Sequence, residues 1–150
     1  MSFMSTKIVF QVVVFGSIAL AARCQDDQVT RVEFTSLSRG YLNQVLISRD
    51  SLVEMVNSSE SGSKTIARKL SDGEWKELTK VMDAISVAEI AGLPSPTFKR
   101  SFDGARHSTI VIFVRDGKSH AHSFDDEDPN EKLRPLMDVI KRISASAGER

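Results

Sequence analysis

The run Ser108 to Val114 (Ser-Thr-Ile-Val-Ile-Phe-Val) is almost wholly β-branched or aromatic, and Asp116-Gly117 follows it one residue later. Such residues fit the pleated, partly buried surface of a sheet, so the segment reads as a central strand. Asp-Gly favours a two-residue type I′ turn, which predicts a hairpin into Lys118 to Phe124. In that register Phe113 lies opposite His120 and Val111 opposite His122, while Ile112 and Ala121 share the other side of the sheet.

Other segments supply the strands and helices that such a hairpin would join. Thr30 to Thr35 alternates polar and apolar residues, the period-2 mark of a half-buried strand. Arg39-Gly40-Tyr41 reads as a turn, Leu42 to Ser48 as a second strand, and Leu52 to Val56 as a third after the Arg49-Asp50 turn. Ser58 to Lys64 is a serine-rich solvated loop by composition, and Thr65 to Leu70 a weaker strand. Ser71-Asp72-Gly73-Glu74 has the S-x-x-E spacing of a capping box, and Trp75, Leu78, Val81, Met82 and Ile85 then recur on one helical face. Val87 to Leu93 predicts a short turn stopped by Pro94 and Pro96. A second helix is expected to begin at Asp128 as N-cap, with Pro129 in first position and Glu131 three residues on. Its buried stripe is Leu133, Leu136, Met137, Ile140 and Ile143, and Pro135 is tolerated there if it falls in the first turn. Strands, helix, strands, helix is an α+β order: an antiparallel sheet with two helices packed on one face.

The first 24 residues stand apart from that domain. Met1 to Lys7 is polar with one positive charge, Ile8 to Ala22 is nearly continuous apolar sequence, and Ala19-Leu20-Ala21 supplies a small-residue cleavage pattern. Together they describe a secretory signal peptide. A retained membrane helix is the rival reading, but a bilayer core needs roughly 20 apolar residues and this run is shorter. The lone cysteine, Cys24, sits at the exit and suggests lipid attachment, although Arg23 before it departs from the small residue such signals carry. The expected division is residues 1–24 as signal, 25–29 as linker, 30–145 as one domain and 146–150 as a tail. The expected location is periplasmic or extracellular, membrane-bound only if Cys24 is acylated.

Removing residues 1–24 takes away Lys7 and Arg23 and no acidic residue, so 20 basic and 20 acidic become 18 and 20, a net charge of −2. A nucleic-acid binder should show a basic excess or stripe instead. Without Cys24 the domain has no disulfide and no thiolate, although small exported domains often use disulfides as staples. Its core must hold it, which a domain of this size can do.

Candidate chemistry is sparse. His120 and His122 sit two apart on the expected strand, a spacing that can ligate zinc if a third ligand such as one of Asp125 to Asp128 arrives. The preferred reading is a solvated hairpin face carrying Arg115, Lys118 and both histidines. Asp126, Asp128 and Asn130 alternate as in a calcium loop, but Glu131 replaces its sixth-position glycine and Met137 its twelfth-position acid. Acidic residues before a helix are favoured by its dipole in any case. G-x-S-x-G, H-E-x-x-H, glycine-rich phosphate loops and paired cysteines are all absent from the sequence. No catalytic residue, metal site or cofactor is expected. Arg39-Gly40-Tyr41, Ser58 to Lys64 and Leu93-Pro94-Ser95-Pro96 are exposed segments where a partner protein can bind.

With these residues in place, the chain resembles the emfourin-like family of small bacterial proteins, some of which are peptidase inhibitors. Asp116-Gly117-Lys118-Ser119-His120 looks like that family's hairpin turn and histidine-bearing strand. Pro129 with Leu133-Arg134-Pro135-Leu136 and Ile140 looks like its terminal helix, and Leu70-Ser71 and Leu93-Pro94 fall in matching order upstream. Arg39-Gly40-Tyr41 stands where the family tends to have a glycine-glycine-aromatic turn, with one glycine kept. The resemblance runs from roughly Thr30 to Ile143. It implies a non-enzymatic protein that docks on a thermolysin-type zinc metallopeptidase and blocks it. The candidate contact residues are Arg39, Gly40, Tyr41, Asp116, Gly117, His120 and His122. Two rivals remain open: a cell-envelope scaffold domain, anchored through Cys24 if that residue is acylated, and a metal-dependent enzyme using the two histidines.

Overall fold

In the computed structural model, residues 28–102 and 105–146 are described. The expected signal segment, Cys24, most of the expected linker and the residues beyond Ser146 lie outside them. The strands are β1 (Val29–Ser38), β2 (Tyr41–Ser48), β3 (Ser51–Ser58), β4 (Gly62–Lys69), β5 (His107–Val114) and β6 (Ser119–Asp125). The helices are α1 (Asp72–Asp83) and α2 (Arg134–Ala145), with short 3-10 turns at Val87–Gly92, Lys99–Phe102 and Glu131–Leu133. All six strands form one antiparallel sheet in the order β4-β3-β2-β1-β5-β6. The class is α+β. No helix among the described residues is long and apolar enough to cross a membrane.

Alternate residues of the strands are buried together. Val32 and Phe34 of β1, Val45 and Ile47 of β2, Leu52 of β3 and Ile110 and Ile112 of β5 share one core cluster with Leu78 and Met82 of α1 and five residues of α2. Ile90 of the 87–92 turn is also fully enclosed in it. Helix α1 starts where the sequence indicates. The Ser71 hydroxyl accepts from the Glu74 N–H at 3.3 Å, and the Glu74 carboxylate accepts from the Ser71 N–H at 2.9 Å. Two of the orphan donors at the helix start are thereby satisfied.

Three expectations are corrected. The β5–β6 loop spans Arg115-Asp116-Gly117, one residue longer than the two-residue turn expected. Gly117 takes φ +84°, its N–H donates to the Val114 carbonyl at 3.1 Å, and the Val114 N–H donates to the Lys118 carbonyl at 3.1 Å. An Asp-Gly pair serves this three-residue loop as well as the shorter turn, since both need a positive φ at the glycine. The register therefore shifts by one, so that Ile112 faces His120, Ile110 faces His122 and Val111 faces Ala121. A slip of one residue moves a whole side-chain set to the opposite face. Strand β4 begins at Gly62, so the expected Ser58–Lys64 loop shrinks to a tight turn. Finally, Asn130 rather than Asp128 caps the last helical stretch. Its Oδ1 accepts from the Lys132 N–H at 3.2 Å while its Nδ2 donates to the Pro94 carbonyl at 3.1 Å. That contact with the 93–97 segment is long-range and fixes a 3-10 turn before α2, leaving Pro135, not Pro129, in the first turn.

Candidate functional site

The seven sequence-derived contact residues do not form one site. Arg39, Gly40 and Tyr41 lie at the β1–β2 turn, and Asp116 and Gly117 lie at the β5–β6 turn beside the start of β1, where the Arg115 N–H donates to the Gln28 carbonyl at 3.0 Å. All ten residues of β1 separate the two turns, about 33 Å at the usual rise per residue. Sequence gave no sign of this, because the pairing of β1 with β5 decides which turn falls at which end.

The end carrying Gly40 is the more elaborate. Gly40 has φ +73°, and a Cβ there would stand 2.6 Å from the Ser59 hydroxyl of the neighbouring β3–β4 turn. The Ser59 N–H donates to the Gly40 carbonyl at 2.8 Å, so the two turns are tied together. The guanidinium of Arg106 lies 4.4 Å from the centroid of the Tyr41 ring. Asp126, at φ +53°, fixes Arg106 from below: its N–H donates to the Arg106 carbonyl at 2.8 Å and its Oδ1 accepts from the Arg106 N–H at 3.1 Å. The Ser108 hydroxyl also donates to the Asp126 carbonyl. At the other end Asp116 caps its own loop, accepting from the Lys118 N–H at 2.9 Å, and hydrogen bonds from the Lys118 side chain and then from this N–H lower its pKa.

His122 is not a surface residue. It is 3 % exposed, and its ring stacks on Phe124 with centroids 5.7 Å apart. Phe124 in turn stacks on Phe34 at 6.4 Å. The shifted register is the cause, since it turns His120 and His122 toward the side of Ile110 and Ile112. The expected solvated face of two histidines with Lys118 is therefore corrected; His120 is half-buried and His122 is part of the core. Asp125, a candidate third zinc ligand, is buried and accepts from the Thr97 hydroxyl and from the Lys99 N–H, the latter at 2.7 Å. Among the described residues, no group of three or more His, Cys, Asp or Glu side chains is placed to hold a metal ion.

Two surfaces were not singled out from the sequence. The first is the edge strand β4. Its eight residues pair with β3 alone among the described strands, and most of them are exposed. The opposite edge is less open, because the 97–99 segment is bonded to Asp125 at the end of β6. The second is the outward face of the sheet. Leu37 is 52 % exposed and Met55 37 %, with Leu42, Leu46, Val53, Val111 and Phe113 half-buried around them. Here Arg31 pairs with Glu33 at 2.9 Å and lies 4.0 Å from the Phe113 ring centroid.

The strongest electrostatic feature joins the sheet to the helices. Arg68 of β4 makes a bidentate contact with Glu74 of α1 at 2.6 and 3.1 Å. The same guanidinium donates to the Ile143 carbonyl at 2.9 Å and the Ser146 hydroxyl at 2.8 Å, at the end of α2. Hydrogen bonding to Arg68, and then to Ser71, holds the Glu74 carboxyl down to about 2. Glu54 of β3 shifts the other way, raised by burial and partly offset by Lys64. Compared with models of known protein families and with curated proteins, the chain matches none.

Proposed function

We propose that this chain is an exported, non-enzymatic binding module that blocks a thermolysin-type metallopeptidase by offering β4 as an edge for strand addition. The observation that carries the reading is β4 itself: eight residues at the sheet edge, paired on one side only among the described strands. An added strand gains main-chain hydrogen bonds along such an edge, with side-chain pockets supplying specificity. Edge strands invite unwanted pairing unless charges guard them. Lys64 and Lys69 stand near the two ends of β4, Arg68 is turned onto Glu74 of α1, and Thr65-Ile66-Ala67 is the uncharged stretch between. A partner segment with acidic residues at matching positions fits that pattern best. The peptidase class comes from the resemblance of the hairpin, the helix order and the Gly40 turn to the emfourin-like family.

The test is a titration of the purified protein against a panel of thermolysin-type peptidases, with Lys64→Glu/Lys69→Glu alongside. Stoichiometric loss of peptidase activity, weakened at least tenfold by the double substitution, is the expected result. If no dose slows any of these enzymes, the inhibitor reading is lost and the envelope-scaffold alternative takes its place.

A further inference from the structure

We infer that the cleft on the helix side of β3 and β4, beside the end of α2, receives a lysine or arginine side chain from the strand that β4 accepts. This rests on strand addition at β4, though not on the class of the partner.

Side chains alternate between the two faces of a strand, so Lys64, Ile66 and Arg68 of β4 turn to the helix side while Thr65, Ala67 and Lys69 turn outward. The register of β3 on β4 sets Val56 beside Lys64 and Glu54 beside Ile66. Those four residues, with Ser144 and Ala145 of α2, line a cleft of about 270 Å³. Clefts that hold whole small molecules run from about 300 to 1,000 Å³, so this one suits a single side chain. Its floor is the last pair of strands at that edge of the sheet. A strand laid along β4 lies about 4.8 Å farther out, and its residue opposite Ile66 has its side chain on the same face as the cleft. Pockets for alternate side chains are what give such strand additions their specificity.

The chemistry of the cleft selects the side chain. Val56 and Ile66 offer apolar surface to an aliphatic stem. Glu54 is half-buried beside them, and among the described residues nothing hydrogen-bonds its carboxylate. The Ser144 hydroxyl is buried and likewise has no hydrogen-bond partner among the described residues. Burial raises the pKa of Glu54, and the charge of Lys64 offsets this only in part. A long cationic side chain packs its methylene stem on apolar surface and holds its charged head apart from it, here where it can donate to both oxygens. An aliphatic side chain would bury Glu54 further without supplying a donor, and an acidic one would repel it. Arg68 is already committed to Glu74, and a partner carboxylate opposite Lys64 draws that ammonium away from Glu54. An antiparallel partner therefore carries an acid opposite Lys69, a base three residues later opposite Ile66, and a second acid two residues after that opposite Lys64.

Calorimetric titration of the full chain with two end-blocked peptides tests this: Asp-Val-Thr-Lys-Thr-Asp, and the same peptide with norleucine in place of lysine. The lysine peptide should bind at least tenfold more tightly. Glu54→Gln should bring the two affinities within twofold of each other without lowering the melting temperature at pH 7, and Lys64→Glu/Lys69→Glu should weaken both peptides. If the parent binds both peptides equally and the double substitution weakens both, strand addition stands and the cleft inference is overturned. A lysine preference that survives Glu54→Gln overturns it too. If neither peptide binds at millimolar concentration, strand addition at β4 and the cleft inference fall together.

Discussion

Ile112 and Val111 are neighbours in β5, yet one is fully enclosed against the helices and the other keeps part of its surface in water. The contrast extends across the sheet. The enclosed face carries Val32, Phe34, Ile47, Leu52 and Ile110 in one cluster, while the outward face spreads Leu37, Leu42, Leu46, Val53 and Met55 among Thr, Ser and Gln. Hydrophobic residues thus occur on both faces for different reasons. The first set stabilises the single chain, and the second keeps part of its surface in water.

Substitutions can set the two faces against each other. The largest effect is expected from Ile112→Ala, which empties space in the enclosed core and costs about 2–5 kcal/mol in urea unfolding. If it costs no more than Val111→Ala, the distinction between the faces fails. Arg68→Ala comes next, at about 1–3 kcal/mol, because it removes the bidentate donor of the part-buried Glu74 carboxylate and one of the donors to the Ile143 carbonyl. Arg68→Lys should recover only part of this, since an ammonium cannot reproduce a planar bidentate contact.

Acid sharpens the same point. Glu74 titrates at about 2 in the folded chain against an ordinary 4.5. Its contribution is therefore complete above pH 4.5 and is lost as the pH falls from 4.5 toward 2. Melting curves across that interval should fall more steeply for the parent than for Glu74→Gln. Val111→Ala, on the outward face, should change single-chain stability by about 1 kcal/mol or less. The smallest expected change is a gain. Burial raises the pKa of Glu54, so its ionised form opposes folding at neutral pH. Glu54→Gln should raise the melting temperature at pH 7 and leave it unchanged at pH 3.

Local chemistry made part of this legible in sequence. Ser71 and Glu74 announce the start of α1 because both halves of the capping box lie within four residues. The β5–β6 hairpin was equally visible, but its register was not, because Asp116-Gly117 suits loops of two lengths. From that single residue followed the misplacement of His122, which the spacing of the two histidines alone gave no means to detect. The start of α2 was hidden for a different reason. Asn130 is chosen as cap by its bond to Pro94, a contact between segments far apart in the chain. The same holds for the candidate surfaces: the β4 edge, paired on one side only among the described strands, and the separation of the Gly40 and Gly117 turns both follow from β1 pairing with β5.

That pairing also governs time. Strands β1 to β4 form a meander of short turns, and β5 with β6 forms a second local hairpin, so each half can assemble quickly by itself. The seam between them sets Val32 against Ile112, and the chain between must be gathered before this contact yields anything. Sheets closed by such non-local contacts fold in milliseconds to seconds rather than microseconds. Until the seam closes, β1 and β5 each present a bare edge rich in β-branched and aromatic residues. Refolding yield should therefore fall with protein concentration, with half-molecules pairing across chains in place of their own partners.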